Sequence, residues 1–467
     1  MSQRIINRRE ECAIPIEDFI ISLFNLKKSQ IRSLIIKRCD NDNIDAFITT
    51  IPAEKECPVC GSKIVANGHG RAKVITHSLL VQHKCLLHWT PQRFICTNPE
   101  CHKSITEQNP FTFEGFQISY ATIRQIMLDL KKPHMSFKDI ALKNNVSVTQ
   151  VMRYFDSYVH VPRPVHLPVN LGIDEIHSDM AKYGSAYLCV LVDNTERRVF
   201  DILPSRSKHE LKKYFEQFPP EERNKVRYVT IDMWRSYYDV AKQMFRRCEI
   251  AVDPFHVVKH LIFAFSTLRV STVKQVVYGS PSYYLLKKWN WLLTTNDVDL
   301  DNKKVMNHVF NRYMNRRDIL NEILMINDDL AIAYNLMKLY QDFNRSCPPE
   351  EAEPQMNMII ESFAAAEIPY YKNFLTLLYD WKAEIINSFH RPDGRKQSNS
   401  FTENINSQIR TYLSVTRGSS NFERFHRRIM YCLNDNVFYS CTSFLTSLKT
   451  EGKKRGTYNT NKHTSTV

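Results

Sequence analysis

The sequence predicts a chain of several domains arranged around a mixed α/β core. Alternating apolar residues indicate five short strands between residues 169 and 252, and helical patterns separate the later strands. Apolar stripes at helical spacing then fill the stretch from about 260 to 390, and two cysteine pairs spaced like metal ligands precede the strands. A chain of 467 residues is long enough for roughly two to four such domains.

The charge balance of the chain is strongly basic, with 63 Lys and Arg against 49 Asp and Glu and a net charge of +14. Such an excess favours a polyanionic partner, most simply nucleic acid, although a merely basic soluble protein would show the same balance. No run of 18 apolar residues indicates a membrane span, and residues 1–11 lack the apolar core of a signal peptide. We therefore expect an intracellular protein whose twelve cysteines are thiols or metal ligands.

The first fifty residues, 1–50, are expected to form an N-terminal helical segment. Two groups of apolar residues recur there at roughly helical spacing and predict two short amphipathic helices: Phe19, Ile20, Leu23 and Phe24, then Ile31, Leu34 and Ile35. We assign no chemistry to this segment.

Residues 51–117 are predicted to form a small zinc-finger module. Its proposed ligands are two cysteine pairs separated by 35 residues: Cys57 and Cys60, then Cys96 and Cys101. Pro58 and Gly61 frame the first pair in a tight turn, and a second pair completes a tetrahedral site for a structural Zn²⁺. Other residues nearby could replace one ligand: Cys85, His69, His88 and His102. The alternative interpretation is four unrelated buried thiols.

Residues 118–160 are predicted to form a helix-turn-helix DNA-binding domain. Three helical patterns follow one another with a short turn before the last, and Ser136 and Ser147 are placed as N-caps. The last helix would present Thr149, Gln150 and Arg153 to base edges in the major groove. Val151 and Phe155 on the same helix are expected to pack inward. A generic small helical bundle is the alternative.

Residues 168–260 are predicted to form the first part of the core, which contains the sheet. Its five expected strands are 169–174, 185–193, 198–203, 226–231 and 248–252. Three meandering strands followed by two joined through helices is the order of a ribonuclease-H-like sheet.

Three of these strands are expected to end on an acid, namely Asp174, Asp232 and Asp253. A carboxylate held by a strand can bind a hard cation, although Asp174 could simply form a turn and Asp232 could cap the next helix. His256, close after Asp253, could belong to a site or could be a packed or solvent-facing histidine.

The remaining residues are predicted to be a helical insertion at 261–390, the last part of the core at 391–448, and a disordered basic tail at 449–467. The last part of the core contains a helix with two distinct faces, an apolar one (Phe401, Ile405, Ile409 and Tyr412) and a polar one (Glu403, Asn406, Ser407 and Arg410). A solvated helix face is the alternative to Glu403 as a metal ligand. A phosphate-contacting surface is expected from the arginines that follow: Arg410, Arg417, Arg427 and Arg428.

Taken together, these motifs resemble the DDE transposases of bacterial insertion sequences, specifically the ISL-three family. The resemblance rests on five motifs: Cys-Pro-Val-Cys-Gly at 57–61, Ile-Asp-Glu at 173–175, Ile-Asp-Met-Trp at 231–234, Asp-Pro-Phe-His at 253–256, and Ser-Asn-Ser-Phe-Thr-Glu-Asn-Ile-Asn at 398–406. It implies that Asp174, Asp232 and Glu403 are the three catalytic carboxylates, and that Asp253 belongs to a further motif outside this triad. Asp174 would bridge two Mg²⁺ ions, for which Mn²⁺ could substitute, and the other two acids would each hold one.

The function that the resemblance implies is DNA transposition. The chain would bind the terminal inverted repeats of an insertion sequence, cut DNA and join it to target DNA, as a homodimer in the cytoplasm of a bacterium in association with the nucleoid. One competing hypothesis is a catalytically inert, transposase-derived regulator that still binds specific DNA. Loss of metal-dependent cleavage without loss of binding in Asp174→Asn would distinguish an active enzyme from such a regulator. A third hypothesis is a structure-specific nuclease on the same sheet, which would cut DNA without joining it.

Overall fold

The computed structural model describes residues 16–39, 43–78, 83–113, 115–416 and 421–439. The chain divides into two compact units. The first contains Met1–Pro162, Ile409–Ser419 and Glu423–Val467, and the second contains Arg163–Gln408 and Ser420–Phe422. Arg417 and the predicted tail at 449–467 lie outside the described residues.

The first unit begins with one helix and seven strands: α1 (Ile16–Ser22), β1 (Ile31–Arg38), β2 (Ile44–Thr50), β3 (Ile64–His69), β4 (Lys73–His77), β5 (Cys85–Trp89), β6 (Gln92–Cys96) and β7 (Ser104–Thr106). Four of the strands form a sheet in the order β1-β2-β5-β4. One face of this sheet packs on Ile21 of α1 and on Phe24 just after it, through Ile48 and Leu87.

The expectation of a second N-terminal helix is wrong, because residues 31–38 form strand β1 and pair antiparallel with β2. The apolar residues at 31, 34 and 35 fit a helical spacing, but the segment is rich in β-branched isoleucine, which favours a pleated strand. The pairing partner in β2 then decides between the two conformations. The first predicted helix is confirmed by α1.

A second, smaller sheet in the first unit has the order β3-β6-β7. Its apolar core is thin, with Cys57, Ile64 and Cys96 buried and a few half-buried neighbours around them.

Three helices follow in the first unit: α2 (Tyr120–Leu130), α3 (Phe137–Lys143) and α4 (Val148–Tyr158). Ser119, Ser136 and Ser147 accept hydrogen bonds from the first-turn amides and cap the three helices in order. The predicted inward packing of Val151 and Phe155 is confirmed, because both are fully buried.

The second unit contains a five-stranded sheet and the helices that connect its strands. The elements are β8 (Asn170–His177), β9 (Tyr187–Asp193), β10 (Arg198–Leu203), α5 (Lys208–Phe215), α6 (Pro220–Arg223), β11 (Tyr228–Ile231), α7 (Arg235–Met244) and β12 (Glu249–Val252). The strand order is β10-β9-β8-β11-β12. The β8, β9 and β10 strands pair antiparallel, whereas β11 pairs parallel with both β8 and β12. The five predicted strands are confirmed.

One detail of that prediction is wrong, because Asp174 lies inside β8 and does not end it. The strand continues to His177, and residues 171–177 all pair with β9. The apolar alternation indicated where the strand begins, but its far end depends on the length of β9.

The helical region that follows contains one short hairpin. Its elements are α8 (Pro254–Gln275), α9 (Pro281–Lys288), α10 (Asn290–Thr294), β13 (Val305–Asn307), β14 (Arg312–Met314), α11 (Arg316–Leu324), α12 (Asp328–Ser346), α13 (Ala352–Ala365), α14 (Lys372–Asp380) and α15 (Lys382–Asn387). The apolar stripes of these helices share one continuous core with the sheet.

Two more helices complete the described chain, α16 (Ser400–Val415) and α17 (Phe422–Leu433). Ile405, Ile409 and Tyr412 are buried on α16, as the helical pattern predicts. None of the helices in the described ranges is both long enough and apolar enough to cross a bilayer.

Candidate active site and metal centres

Asp174 is a buried carboxylate in the middle of the central strand β8, where only 6% of the residue is exposed. The backbone amide of Glu175 donates to Asp174 Oδ1 at 2.8 Å, and Nδ2 of Asn406 donates to Asp174 Oδ2 at 2.8 Å. Both oxygens therefore have fixed directions before any ligand binds. Asn406 was expected on the same polar helix face as Glu403, and it is buried against this carboxylate.

The surroundings of Asp174 disfavour its charged form. Burial raises the pKa of Asp174 to about 7, while the amide of Glu175 and the nearby His256 act against this rise. The negative charges of Asp232 and Glu175 act in the same direction as burial and contribute to this pKa of about 7. A cation close to this group would remove the penalty, so the environment suits a metal ligand.

Asp232 and Asp253 leave the sheet at the same edge, because β11 and β12 are parallel and each acid directly follows its strand. His256, in the first turn of α8, lies between them. Its Nδ1 is 3.1 Å from Asp232 Oδ1, and its Nε2 is 3.8 Å from Asp253 Oδ2.

Glu403 reaches the same place from α16. One ligand atom from each of Asp253, His256 and Glu403 lies within 4.8 Å of the others. Asp253 also caps α8, since its Oδ1 accepts from the amides of Phe255 and Asn399. Its buried Oδ2 has no hydrogen-bond partner in the described part of the chain, and burial raises the pKa of Asp253. A buried oxygen of this kind fits a bound cation.

Of the three acids singled out from the sequence, Asp232 and Glu403 lie beside His256, whereas Asp174 is outside the group of Asp253, His256 and Glu403 whose ligand atoms lie within 4.8 Å of one another in the described residues. Asp232 contacts His256, Glu403 lies within ligand distance of it, and the charges of His256 and Asp232 act on Asp174. The role of Asp253 and the choice between the two interpretations of His256 were not settled by the pattern. The sequence signal that places Asp253 and His256 near Asp232 is the position of Asp-Pro-Phe-His. This motif directly follows β12, which is parallel to the strand that precedes Asp232.

The four cysteines predicted as zinc ligands form one cluster. The Sγ atoms of Cys57 and Cys101 are 3.8 Å apart, and those of Cys60 and Cys96 are 3.5 Å apart. All four lie within 4.8 Å of one another. Tetrahedral coordination with Zn–S bonds of about 2.3 Å separates neighbouring sulfurs by about 3.8 Å, so the observed spacing fits such an ion.

Protonation of the cluster is uneven. Hydrogen bonds from Ser62 lower the pKa of the Cys60 thiol to about 6, whereas burial raises the pKa of Cys96 to about 12.

Cys85, considered as a substitute ligand, is buried in the core of the larger first-unit sheet. The group of four in the described residues includes none of the candidate histidines.

The residues predicted to contact DNA differ in their accessibility. Thr149 and Arg153 are exposed on α4, Gln150 is half-buried, and Arg410 is exposed on α16. Arg427 is half-buried and donates to the carbonyl of Asp156 at 3.2 Å.

Arg428 does not fit the predicted phosphate surface. It is 1% exposed, and its guanidinium donates to the carbonyls of Lys132 and Met135 at 3.2 and 3.1 Å. The ring of Phe137 lies 5.5 Å from its Cζ. This arginine ties helix α17 to the turn between α2 and α3, and a phosphate cannot reach it.

Comparison with known proteins places the chain in a family. The model of the ISL-three (ISL3) DDE transposases, described as "Transposase", matches residues 171–429, which is more than half of the chain. The transposase for insertion sequence element IS1001 of Bordetella parapertussis is 30% identical over 154 residues. That stretch covers 33% of this chain and 35% of the relative, so the match spans about a third of the relative's length. On the strength of the family match, the chain belongs to the ISL3 family of DDE transposases.

Proposed function

We propose that this chain is a metal-dependent DNA strand transferase that binds the terminal inverted repeats of an insertion sequence, cuts the DNA and joins it to a target. The observation that carries the proposal is the gathering of Asp232, Asp253 and Glu403 around His256, with Asp174 linked to the helix of Glu403 through Asn406 and subject to the charges of His256 and Asp232. Carboxylates brought together in this way repel one another strongly, and bound divalent cations offset that repulsion.

A ribonuclease-H-like core is the fold that we propose for the second unit. Three antiparallel strands, β10, β9 and β8, followed by β11 and β12 in parallel, support this assignment. The region from 254 to 387 would be the predicted helical insertion, after which α16 returns to the sheet with Glu403.

Asp174, Asp232 and Glu403 are the proposed ligands of two Mg²⁺ ions, with Mn²⁺ as a substitute. Bound divalent ions would activate the attacking oxygen and stabilise the leaving oxygen of a phosphodiester. Asn406 would hold the Asp174 carboxylate in its binding orientation through the 2.8 Å hydrogen bond to Oδ2. His256 would orient Asp232, and Asp253 would stand beside Glu403 as a further candidate ligand.

The cysteine cluster is proposed to hold a structural Zn²⁺. The thin core of the β3-β6-β7 sheet supports this role, because a bound ion would supply stability that so few apolar contacts do not.

DNA recognition is proposed for the three-helix region. The turn between α3 and α4, with Thr149 and Arg153 exposed beyond it, supports a helix-turn-helix that presents these residues and Gln150 to base edges. Arg410 and Arg427, together with Arg417, would contact phosphates. The chain would act as a homodimer on both element ends. It would do so in the bacterial cytoplasm, in association with the nucleoid.

The test is incubation of the purified chain with a plasmid that carries the native element ends and Mg²⁺, followed by mapping of nicks and joined products. Asp174→Asn and Glu403→Gln are expected to lower cleavage by at least about a thousandfold while DNA binding is kept. Glu361→Gln, on an exposed position of α13, is the matched control and should cleave like the wild type. Specific binding of the ends without cleavage by the wild type, in either Mg²⁺ or Mn²⁺, would instead identify an inert DNA-binding regulator.

A further inference from the structure

Arg206 is enclosed between two aromatic rings beside the acidic cluster. Its Cζ lies 3.9 Å from the ring centroid of Tyr187 and 4.2 Å from that of Trp234. Its Nη1 forms an ion pair with Oε1 of Glu175. The second oxygen of Glu175 accepts from the hydroxyl of the fully buried Tyr237 at 3.0 Å. Both faces of the guanidinium and both oxygens of the carboxylate are therefore occupied.

Two of the three partners of Arg206, Glu175 and Trp234, are close in sequence to two proposed metal ligands. Glu175 directly follows Asp174, and its amide is the group that donates to Asp174 Oδ1. Trp234 lies two residues after Asp232, and its amide donates to the carbonyl of Asp232 at 2.7 Å. Arg206 itself comes from the connection between β10 and α5, so it joins three separate segments of the second unit.

We infer that Arg206 is a positioning residue that sets the separation of Asp174 and Asp232 by holding Glu175 and Trp234 together. The inference rests on the proposed function, since it concerns the same metal site. The proposed metal-binding role of Asp174, Asp232 and Glu403 does not by itself require an arginine packed against Tyr187 and Trp234. Two aromatic rings and an ion pair are more than a loop between a strand and a helix needs to stay folded.

Arginine suits this place and lysine does not. The guanidinium is planar, so it can stack on two rings while its edge remains free to pair with a carboxylate. An ammonium group in Arg206→Lys can still pair with Glu175 but cannot occupy the slot between the rings. The link to Trp234 should therefore fail while the charge of the cluster is unchanged.

The experiment compares Arg206→Lys with the wild type by titration of Mn²⁺, followed by electron paramagnetic resonance, and by cleavage of element-end DNA over a range of Mg²⁺ concentrations. We expect Mn²⁺ affinity to fall about tenfold or more and the Mg²⁺ concentration for half-maximal cleavage to rise equally. Melting temperature and metal-free DNA affinity should stay unchanged. Arg235→Lys is the matched control, because Arg235 also stacks on two rings, of Tyr238 and Trp381, without touching Glu175.

A second variant covers the case in which Arg206→Lys lowers the melting temperature. Trp234→Phe keeps an aromatic face and should show a smaller loss of Mn²⁺ affinity in a folded protein. Wild-type Mn²⁺ affinity in both variants would overturn the inference, and so would a loss of DNA affinity alone, which would make Arg206 a phosphate contact. Absence of cleavage by the wild type would count against the proposed function, whereas the Mn²⁺ titration would still decide the role of Arg206.

Discussion

At the scale of single residues, Gly172 shows how closely the central strand is packed beside Asp174. A Cβ at this position would lie 2.6 Å from Cγ2 of Val192, 3.1 Å from Nδ2 of Asn194 and 3.2 Å from Oδ1 of Asn399. Atoms on the neighbouring strand and on the segment that leads into α16 therefore approach the backbone directly. Only glycine fits at this place without displacing them.

We predict that Gly172→Ala destabilises the protein by about 1–3 kcal/mol, because the added methyl group overpacks the sheet. Urea unfolding followed by circular dichroism measures the change. The double variant Gly172→Ala with Val192→Ala removes the nearest clashing group and should be less destabilised than the sum of the single variants. Simple additivity of the two changes would show that the close approach to Val192 is relieved in another way.

His77 is a second residue whose burial has a measurable consequence. Burial lowers its pKa from 6.5 to about 4, although the hydrogen bond from Nε2 to the carbonyl of Leu23 acts against this. The hydroxyl of Ser119 lies 2.8 Å from Nδ1. The folded state thus keeps His77 neutral at a pH where the unfolded chain binds a proton.

Because the pKa of His77 is lower in the folded state, its protonation does not reduce the free energy of unfolding above pH 6.5. The free energy of unfolding decreases as the pH falls from 6.5 towards 4. We predict a loss of up to about 3 kcal/mol over this interval. The measurement is the difference in unfolding free energy between the wild type and His77→Gln at pH 7.5, 6 and 5. The variant should show a flatter dependence on pH. A difference that stays constant with pH would contradict the buried neutral histidine.

At the scale of elements, the small β3-β6-β7 sheet and strand β1 both depend on contacts outside themselves. β1 is a strand because β2 offers it a pairing edge, in spite of a spacing that also fits a helix. The three-stranded sheet has few buried side chains, and the four thiols are gathered where a tetrahedral ion would cross-link the segment before β3 to the end of β6 and the connection to β7.

We predict that the native chain contains one zinc ion and that Cys60→Ser loses it, since three thiolates and a hydroxyl bind zinc much more weakly. Atomic emission gives the zinc content, and thermal unfolding with and without a chelator gives the effect on stability. Cys248→Ser, which lies outside the cluster, should keep the ion. A zinc-free wild type with the same melting temperature in chelator would rule out the structural ion.

At the scale of the whole molecule, the net charge of +14 should make DNA affinity strongly dependent on salt. Arg410 and Arg428 provide a matched comparison, because the first is exposed and the second is buried against backbone carbonyls. Arg410→Ala should reduce the slope of log affinity against log salt by about one.

Arg428→Met should leave the slope unchanged and lower the melting temperature by several degrees, since two buried carbonyls lose their donor. A reduced slope in Arg428→Met would show that this residue becomes accessible when DNA binds.

Much of the fold could be predicted because it depends on short-range patterns. The five strands follow from alternation of apolar residues, and the cysteine cluster follows from a turn that brings Cys57 and Cys60 together. The inward packing of Val151 and Phe155 follows from helical spacing behind a serine cap. The exposure of Arg428 was predicted wrongly, because a helical pattern does not reveal which neighbours a polar residue will meet.

The sequence by itself identified the three candidate acids and the strands that carry or precede two of them. It also identified the family resemblance that the family match bears out. The tertiary structure decided which groups stand beside those acids: Asn406 on Asp174, His256 between Asp232 and Asp253, and Arg206 between Tyr187 and Trp234. The physical reason is that backbone preferences and apolar periodicity act between residues close in the chain. The partners of a buried polar group depend instead on which strands become neighbours and on how each helix is rotated against the sheet.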